Sequence, residues 1–239
     1  RSCNRSYRPW THLDSDGRVR LSPERNRTDI TCSARAVLHK GEYAITTKEW
    51  HNLEEEYVFE NDIVEVKCER GDSTAYHFMH TQVWIQDRSL VEENVQDVLE
   101  KSIDDQPPNV YLIVIDSIGA SHGRRVFPKT IDYLKQEYGA FDIRHMNKVG
   151  ENSRPNGMAF LFGKSIFNVK RDIFGLPSLE PDWSREEFCK SYLDDKGFIM
   201  KDFEKMGYKT LMAEDWNLGV FNWPNCWGFK RQPTTHYMR

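Results

Sequence analysis

Six consecutive apolar residues, Val110-Tyr111-Leu112-Ile113-Val114-Ile115, stop at a carboxylate, Asp116. A run of strand length with no polar alternation marks a strand covered on both faces, as in the interior of a parallel sheet. The residues that follow keep the rhythm of an α/β unit. Pro128 opens a helical stripe of Ile131, Leu134 and Tyr138 that Gly139 can end. Phe141 to His145 alternates as a second strand, and Gly157 to Phe162 opens an apolar helix. Phe198 to Met206 reads as a further helix stopped by Gly207, with Tyr208 to Ala213 as a third strand. The order strand, helix, strand, helix, helix, strand predicts an α/β fold with a mostly parallel sheet.

The residues before this unit have a different texture. Tyr57 to Phe59, Ile63 to Cys68 and Tyr76 to His80 alternate or run apolar at strand length, and Glu69 to Ser73 between them is rich in turn formers. Asp14-Ser15-Asp16-Gly17 opens like a calcium loop but lacks that motif's later ligands, so it reads as a tight turn. His77 and His80, three apart, fall on opposite faces of a strand and cannot share a metal. Val91, Val95, Val98 and Leu99 give a short helical stripe between Leu90 and Ile103, and Asp104-Asp105-Gln106-Pro107-Pro108 breaks it. The chain therefore divides into a β-rich region over residues 1–106 and an α/β region over residues 107–239.

Composition narrows the function classes. A net charge of −4 with scattered Lys and Arg gives no electrostatic footprint for nucleic acid. No apolar run is long enough to cross a bilayer. The five cysteines, Cys3, Cys32, Cys68, Cys189 and Cys226, form no C-x-x-C pair, which argues against a zinc ribbon or a thioredoxin motif. Two glycosylation sequons, at Asn4 and Asn26, point with these cysteines to the extracellular space or the secretory lumen, where disulfides persist. Two of the first three cysteines are expected to pair, and Cys189 with Cys226. The chain opens on Arg1 rather than Met and closes on Arg239 without a polar tail, and it is expected to be a fragment of a longer protein.

Two residues could carry chemistry. Asp116 stands at the carboxyl end of the predicted strand, where open α/β sheets bind ligands and where a carboxylate can hold a metal ion. The same Asp beside Ser117 could equally form an Asx turn. Ser153 lies in Lys148-Val149-Gly150-Glu151-Asn152-Ser153-Arg154-Pro155-Asn156, at or just before the start of a helix. Free amides and the positive end of the helix dipole suit a nucleophile there that attacks an anionic ester. An ordinary Ser cap followed by Pro in the first turn has the same spelling. No G-x-S-x-G elbow, P-loop or G-x-G-x-x-G occurs, and His122 and His145, which lie between Asp116 and Ser153 in sequence, are set aside as lone histidines.

Longer motifs carry a resemblance. Asn109 to Ser117, Asn147 to Asn156, Gly207 to Trp216, Trp223 to Phe229 and Pro233 to Arg239 together resemble the family known as domain of unknown function 229, a sulfatase-related branch of the alkaline phosphatase superfamily. The match covers most of the chain and is strongest over residues 107–239. It implies the first part of an alkaline phosphatase/sulfatase-like sheet sandwich, preceded by the β-rich region. It implies Asp116 as the first metal ligand and Ser153 as the nucleophile, with Arg154 and Asn156 contacting the substrate anion. Formylglycine formation in sulfatases uses a C/S-x-P-x-R signature; here Gly157 replaces the final Arg, so an unmodified hydroxyl fits better. The resemblance implies that the remaining Asp and His ligands come later in the chain, and no such set is spelled before Arg239.

The expected activity is that of a metal-dependent hydrolase or transferase of phosphate or sulfate esters, using zinc or calcium completed by ligands outside these 239 residues and inactive as this fragment. The rival expectation is a secreted, non-catalytic binding protein on a hydrolase scaffold.

Overall fold

The computed structural model describes residues 8–23, 29–85, 107–216 and 219–239. Cys3, the two sequons and the helical stripe at 90–103 lie outside the described residues. The fold is mixed α/β. It contains a mostly antiparallel sheet and, among the described residues, six α-helices.

The first part is built on alternation. Strands β1 (Thr11–Leu13) and β2 (Val19–Leu21) form a hairpin whose turn is closed by the Gly17 amide on the Asp14 carbonyl. Strands β3 (Thr31–His39), β4 (Ile45–Thr47), β5 (His51–Asn52), β6 (Ile63–Arg70) and β7 (Ser73–Thr81) form one antiparallel sheet in the order β4-β3-β6-β7, with β5 also on β3. Cys32, Ala34 and Ala36 of β3 and Val64, Val66 and Cys68 of β6 turn to one face and are buried with Val19, Phe59 and Tyr76. The intervening residues face out: Arg35 Nε reaches Glu65 Oε2 at 2.6 Å, and His77 Nε2 lies 2.7 Å from Glu65 Oε1. Cys32 and Cys68 are directly opposite in register and form a disulfide. Tyr57 to Phe59 is not a strand; only Val58 makes an isolated bridge, to Arg18.

The second part collects a separate apolar core. Helices α1 (Ala120–Val126) and α2 (Pro128–Tyr138) precede α3 (Ser153–Phe162). Helices α4 (Arg185–Cys189) and α5 (Ile199–Lys205) follow, then β8 (Leu211–Ala213), α6 (Gly219–Asn222) and β9 (His236–Met238). Met158, Leu161 and Phe162 from α3 pack with Trp183, Phe188, Leu193, Phe198, Phe221 and Phe229. Phe162 stacks on Phe198 at 5.1 Å and meets Phe221 edge-on at 5.9 Å, the geometries aromatic quadrupoles favour. Cys189 and Cys226 form the second disulfide inside this core.

Four expectations are corrected. Val110 to Ile115 forms no strand and pairs with none among the described residues, and its six side chains are 56% to 82% exposed. An apolar run states a need for burial but names no partner, and neither face of this one is covered here. Phe141 to His145 is likewise not a strand, with Phe141 94% exposed. Helix α2 does run from Pro128 to a left-handed Gly139, yet Leu134 and Tyr138 of its stripe face outward. Among the described residues the parallel order survives only in β8 and β9, which pair in parallel with Leu211 opposite His236.

Candidate functional site at the start of helix α3

Ser153 is the first residue of α3. Asn152 precedes it at φ 69° and makes no capping bond with its side chain, so the first-turn amides of the helix are left without an internal partner. Asp116 lies 37 residues earlier, and the Ser153 hydroxyl donates to its Oδ2. The other carboxylate oxygen accepts from the Ser117 amide at 2.6 Å, with Ser117 in the left-handed region at φ 57°. That bond runs to the next residue and not two residues on, so it is not an Asx turn; one oxygen is held by the backbone and the other receives the hydroxyl.

The two flanking residues turn inward. The Asn156 side chain closes the preceding loop: its oxygen accepts from the Val149 amide at 2.9 Å, and its nitrogen donates to the carbonyls of Gly150 at 2.9 Å and Asn152 at 2.6 Å. Both amide hydrogens are thus committed to backbone. Arg154 Nη1 donates to the Trp223 carbonyl and lies 3.4 Å from Cys226 Sγ, while its guanidinium carbon stands 5.2 Å from the Phe188 ring centroid. Burial, helped by the charge of Arg185, pushes the Arg154 pKa down. The structure places both residues where they shape the loop and tie the helix to the 222–226 turn.

Gly157 shows why the fifth position of the Ser-x-Pro-x-Gly segment is small. A Cβ there would come within 2.5 Å of Val220 Cγ2 on α6. Val220 is buried and β-branched, so it cannot swing aside cheaply. Gly157→Ala is expected to destabilise the protein by about 1–3 kcal/mol in urea melts, as an overpacked contact between two helices. An arginine side chain at this position meets the same wall.

As a metal centre the described residues fall short. Asp116 and Ser153 offer two oxygen donors, whereas zinc takes four ligands and calcium six to eight. No group of three His, Cys, Asp or Glu among the described residues is close enough to hold an ion. A cleft of about 580 Å³ lies elsewhere, at the junction of the two parts, lined by His39, Asp62, Trp84, Thr210, His236 and Tyr237 and not by Asp116 or Ser153. In it His236 Nδ1 stands 2.9 Å from Asp62 Oδ2.

The junction carries residues that sequence reasoning missed. Glu42 and Tyr43, in the β3–β4 turn, reach across to the second part. The Glu42 carboxylate bonds to Arg239 and accepts from the Phe229 amide at 3.1 Å, and the Tyr43 hydroxyl lies 2.8 Å from the Asn222 carbonyl and 2.6 Å from that of Cys226. Lys40-Gly41-Glu42-Tyr43 is spelled like any exposed turn; Gly228, whose absent Cβ leaves room for Glu42, is the one complementary signal.

Among the described residues no helix is long and apolar enough to cross a membrane, and the two disulfides fit a secreted protein. No curated protein and no solved structure matches the chain. The family model described as "Protein of unknown function (DUF229)" matches residues 1–239, and the chain belongs to that family.

Proposed function

We propose that this chain is part of an extracellular or lumenal hydrolase or transferase of phosphate or sulfate esters, with Ser153 as nucleophile. The observation that carries the reading is the hydrogen bond from the Ser153 hydroxyl to Asp116 Oδ2 at a helix N-terminus that no side chain caps. The carboxylate orients the hydroxyl and draws on its proton, so a lone pair of Oγ is directed outward. The first-turn amides suit the non-bridging oxygens of the ester. Ser153 Oγ forms its bond to phosphorus or sulfur as the ester oxygen leaves, the hydroxyl proton passes to Asp116, and the leaving oxygen takes a proton from water. Water or another alcohol then releases the ester from Ser153.

The sulfatase-like sheet belongs to the same proposal. Six outward-facing apolar residues ending at Asp116 suit an inner strand of a larger sheet. A zinc or calcium ion would stabilise the serine alkoxide, with Asp116 as one of its ligands and the rest from outside residues 1–239.

The test is a panel of aryl phosphates, phosphodiesters and sulfate esters on the full-length protein, before and after chelation. Turnover lost on chelation and restored by zinc or calcium places Asp116 in a metal site. Turnover that survives chelation leaves Asp116 as proton acceptor. No turnover of any ester, with metal present, refutes the enzymatic reading in favour of a secreted binding protein.

A further inference from the structure

The β3–β4 turn does more than touch the second part; its bonds converge on the segment that holds the candidate site. The Tyr43 hydroxyl lies between the Asn222 and Cys226 carbonyls at 2.8 and 2.6 Å. The Asn222 side chain returns a bond to the Glu42 carbonyl at 3.3 Å. Between those two anchor points lies the Trp223 carbonyl, which receives Arg154 Nη1. Cys226, disulfide-bonded to Cys189, also meets Arg154 through its sulfur. Arg154 is the second residue of α3 and the neighbour of Ser153.

A continuous path therefore runs from Tyr43 to the 222–226 turn, to Arg154, to the first turn of α3 and to Ser153. Residues 223–226 lie outside helix and strand, with Asn225 in the left-handed region at φ 58°. Carbonyls in an irregular turn are fixed by whatever donors reach them. Besides the stretch's own Cys226 amide, which bonds the Asn222 carbonyl, donors come from two sides, Tyr43 from the β3–β4 turn and Arg154 from α3. Gly228 keeps the approach open, since a Cβ there would stand 2.4 Å from Glu42 Cγ.

We propose that Tyr43 is a positioning residue for the candidate site, acting through the 222–226 turn and Arg154 to set the start of α3. The inference rests on the reading of Ser153 as nucleophile for its functional meaning, but the coupling itself is independent of that reading. The β-rich region thereby braces the segment that presents Ser153.

Tyr43→Phe removes the hydroxyl alone and keeps the ring on a half-open surface. Hydrogen exchange in the full-length protein is compared with wild type and with Tyr57→Phe, whose ring stacks on His51 instead. The Cys226 and Trp227 amides, bonded to the Asn222 and Cys189 carbonyls, are expected to exchange roughly ten-fold faster, as a lost hydrogen bond allows. The Gly157 amide in α3 should follow, with Val64 and Val66 in the sheet unchanged. Arg154→Lys should produce a similar pattern, and the double variant should exceed neither single by much, since both act on one turn. Where the ester panel shows turnover, Tyr43→Phe lowers kcat with KM nearly unchanged. Acceleration confined to the β3–β4 turn, with Gly157 unmoved, overturns the proposal, as does full additivity of the two substitutions. Gly228→Ala, which pushes on Glu42 from the opposite side, provides a second disturbance with the same expected pattern. A wild-type protein without turnover would refute Ser153 as nucleophile and leave the exchange result to decide the coupling.

Discussion

Ser153→Ala in the full-length protein is expected to lower turnover of its ester by a factor on the order of 10⁴ or more, the scale seen when a nucleophile is deleted from an enzyme that uses one. The substitution removes one oxygen and leaves the helix start intact, because the residues that fix that start are its neighbours. Asn156 holds the loop through three backbone groups, and Arg154 holds the helix to the Trp223 carbonyl. Stability should therefore change by less than about 1 kcal/mol, the size of one hydrogen bond at an exposed carboxylate. That pairing of a large kinetic loss with a small change in the urea midpoint separates a nucleophile from a structural serine. Retained turnover in Ser153→Ala removes the residue from the role. Asp116→Asn provides the companion measurement: it keeps an oxygen near the hydroxyl but abolishes the proton acceptor, so kcat should fall with the fold unchanged.

The reach of sequence reasoning differed sharply between elements. Both ends of helix α2 were legible because Pro128 and Gly139 mark them chemically, through a missing donor and a left-handed C-cap. Strands β6 and β7 were legible because alternation with Val and aromatic residues is a strong period-2 signal. Strand β3 is as long as β7 and pairs with β6 on its other side, yet it escaped notice, because its buried face includes Cys32, Ala34 and Ala36, residues too small to stand out. Val110 to Ile115 erred in the other direction: its apolarity is real, but pairing is a property of two segments. The contact of Asp116 with Ser153 spans 37 residues, and no local period encodes it. The inward turn of Arg154 and Asn156 was hidden for a related reason, since polar residues around a helix start are spelled alike whether they bind a ligand or their own backbone. Both cysteine pairs came out as expected among the described residues, with Cys3 outside them.

Glu42→Ala is expected to cost about 3–5 kcal/mol, the penalty for breaking a buried ion pair by deleting one partner. The side chains of Glu42 and Arg239 are 1% and 7% exposed, so water cannot replace what is lost. The carboxylate also accepts from the Phe229 amide at 3.1 Å and from the Tyr237 hydroxyl at 3.4 Å. Deleting it leaves those donors unpaired and opens a void where Gly228 had made room. Glu214 stands 3.8 Å from the same guanidinium, too distant for a hydrogen bond, and so compensates weakly for the loss. Burial raises the pKa of Glu42 above its ordinary 4.5, and burial raises that of Glu214 as well. The sign follows: a carboxyl that holds its proton more tightly when folded loses stability as pH rises from the unfolded value through the folded one. Glu42→Gln keeps an acceptor for Phe229 and Tyr237 without ionising, so it should cost less than alanine and flatten that decline. Urea melts across the acid to neutral range check both statements. A Glu42→Ala midpoint equivalent to under about 1 kcal/mol would mean that the two parts hold together without this pair.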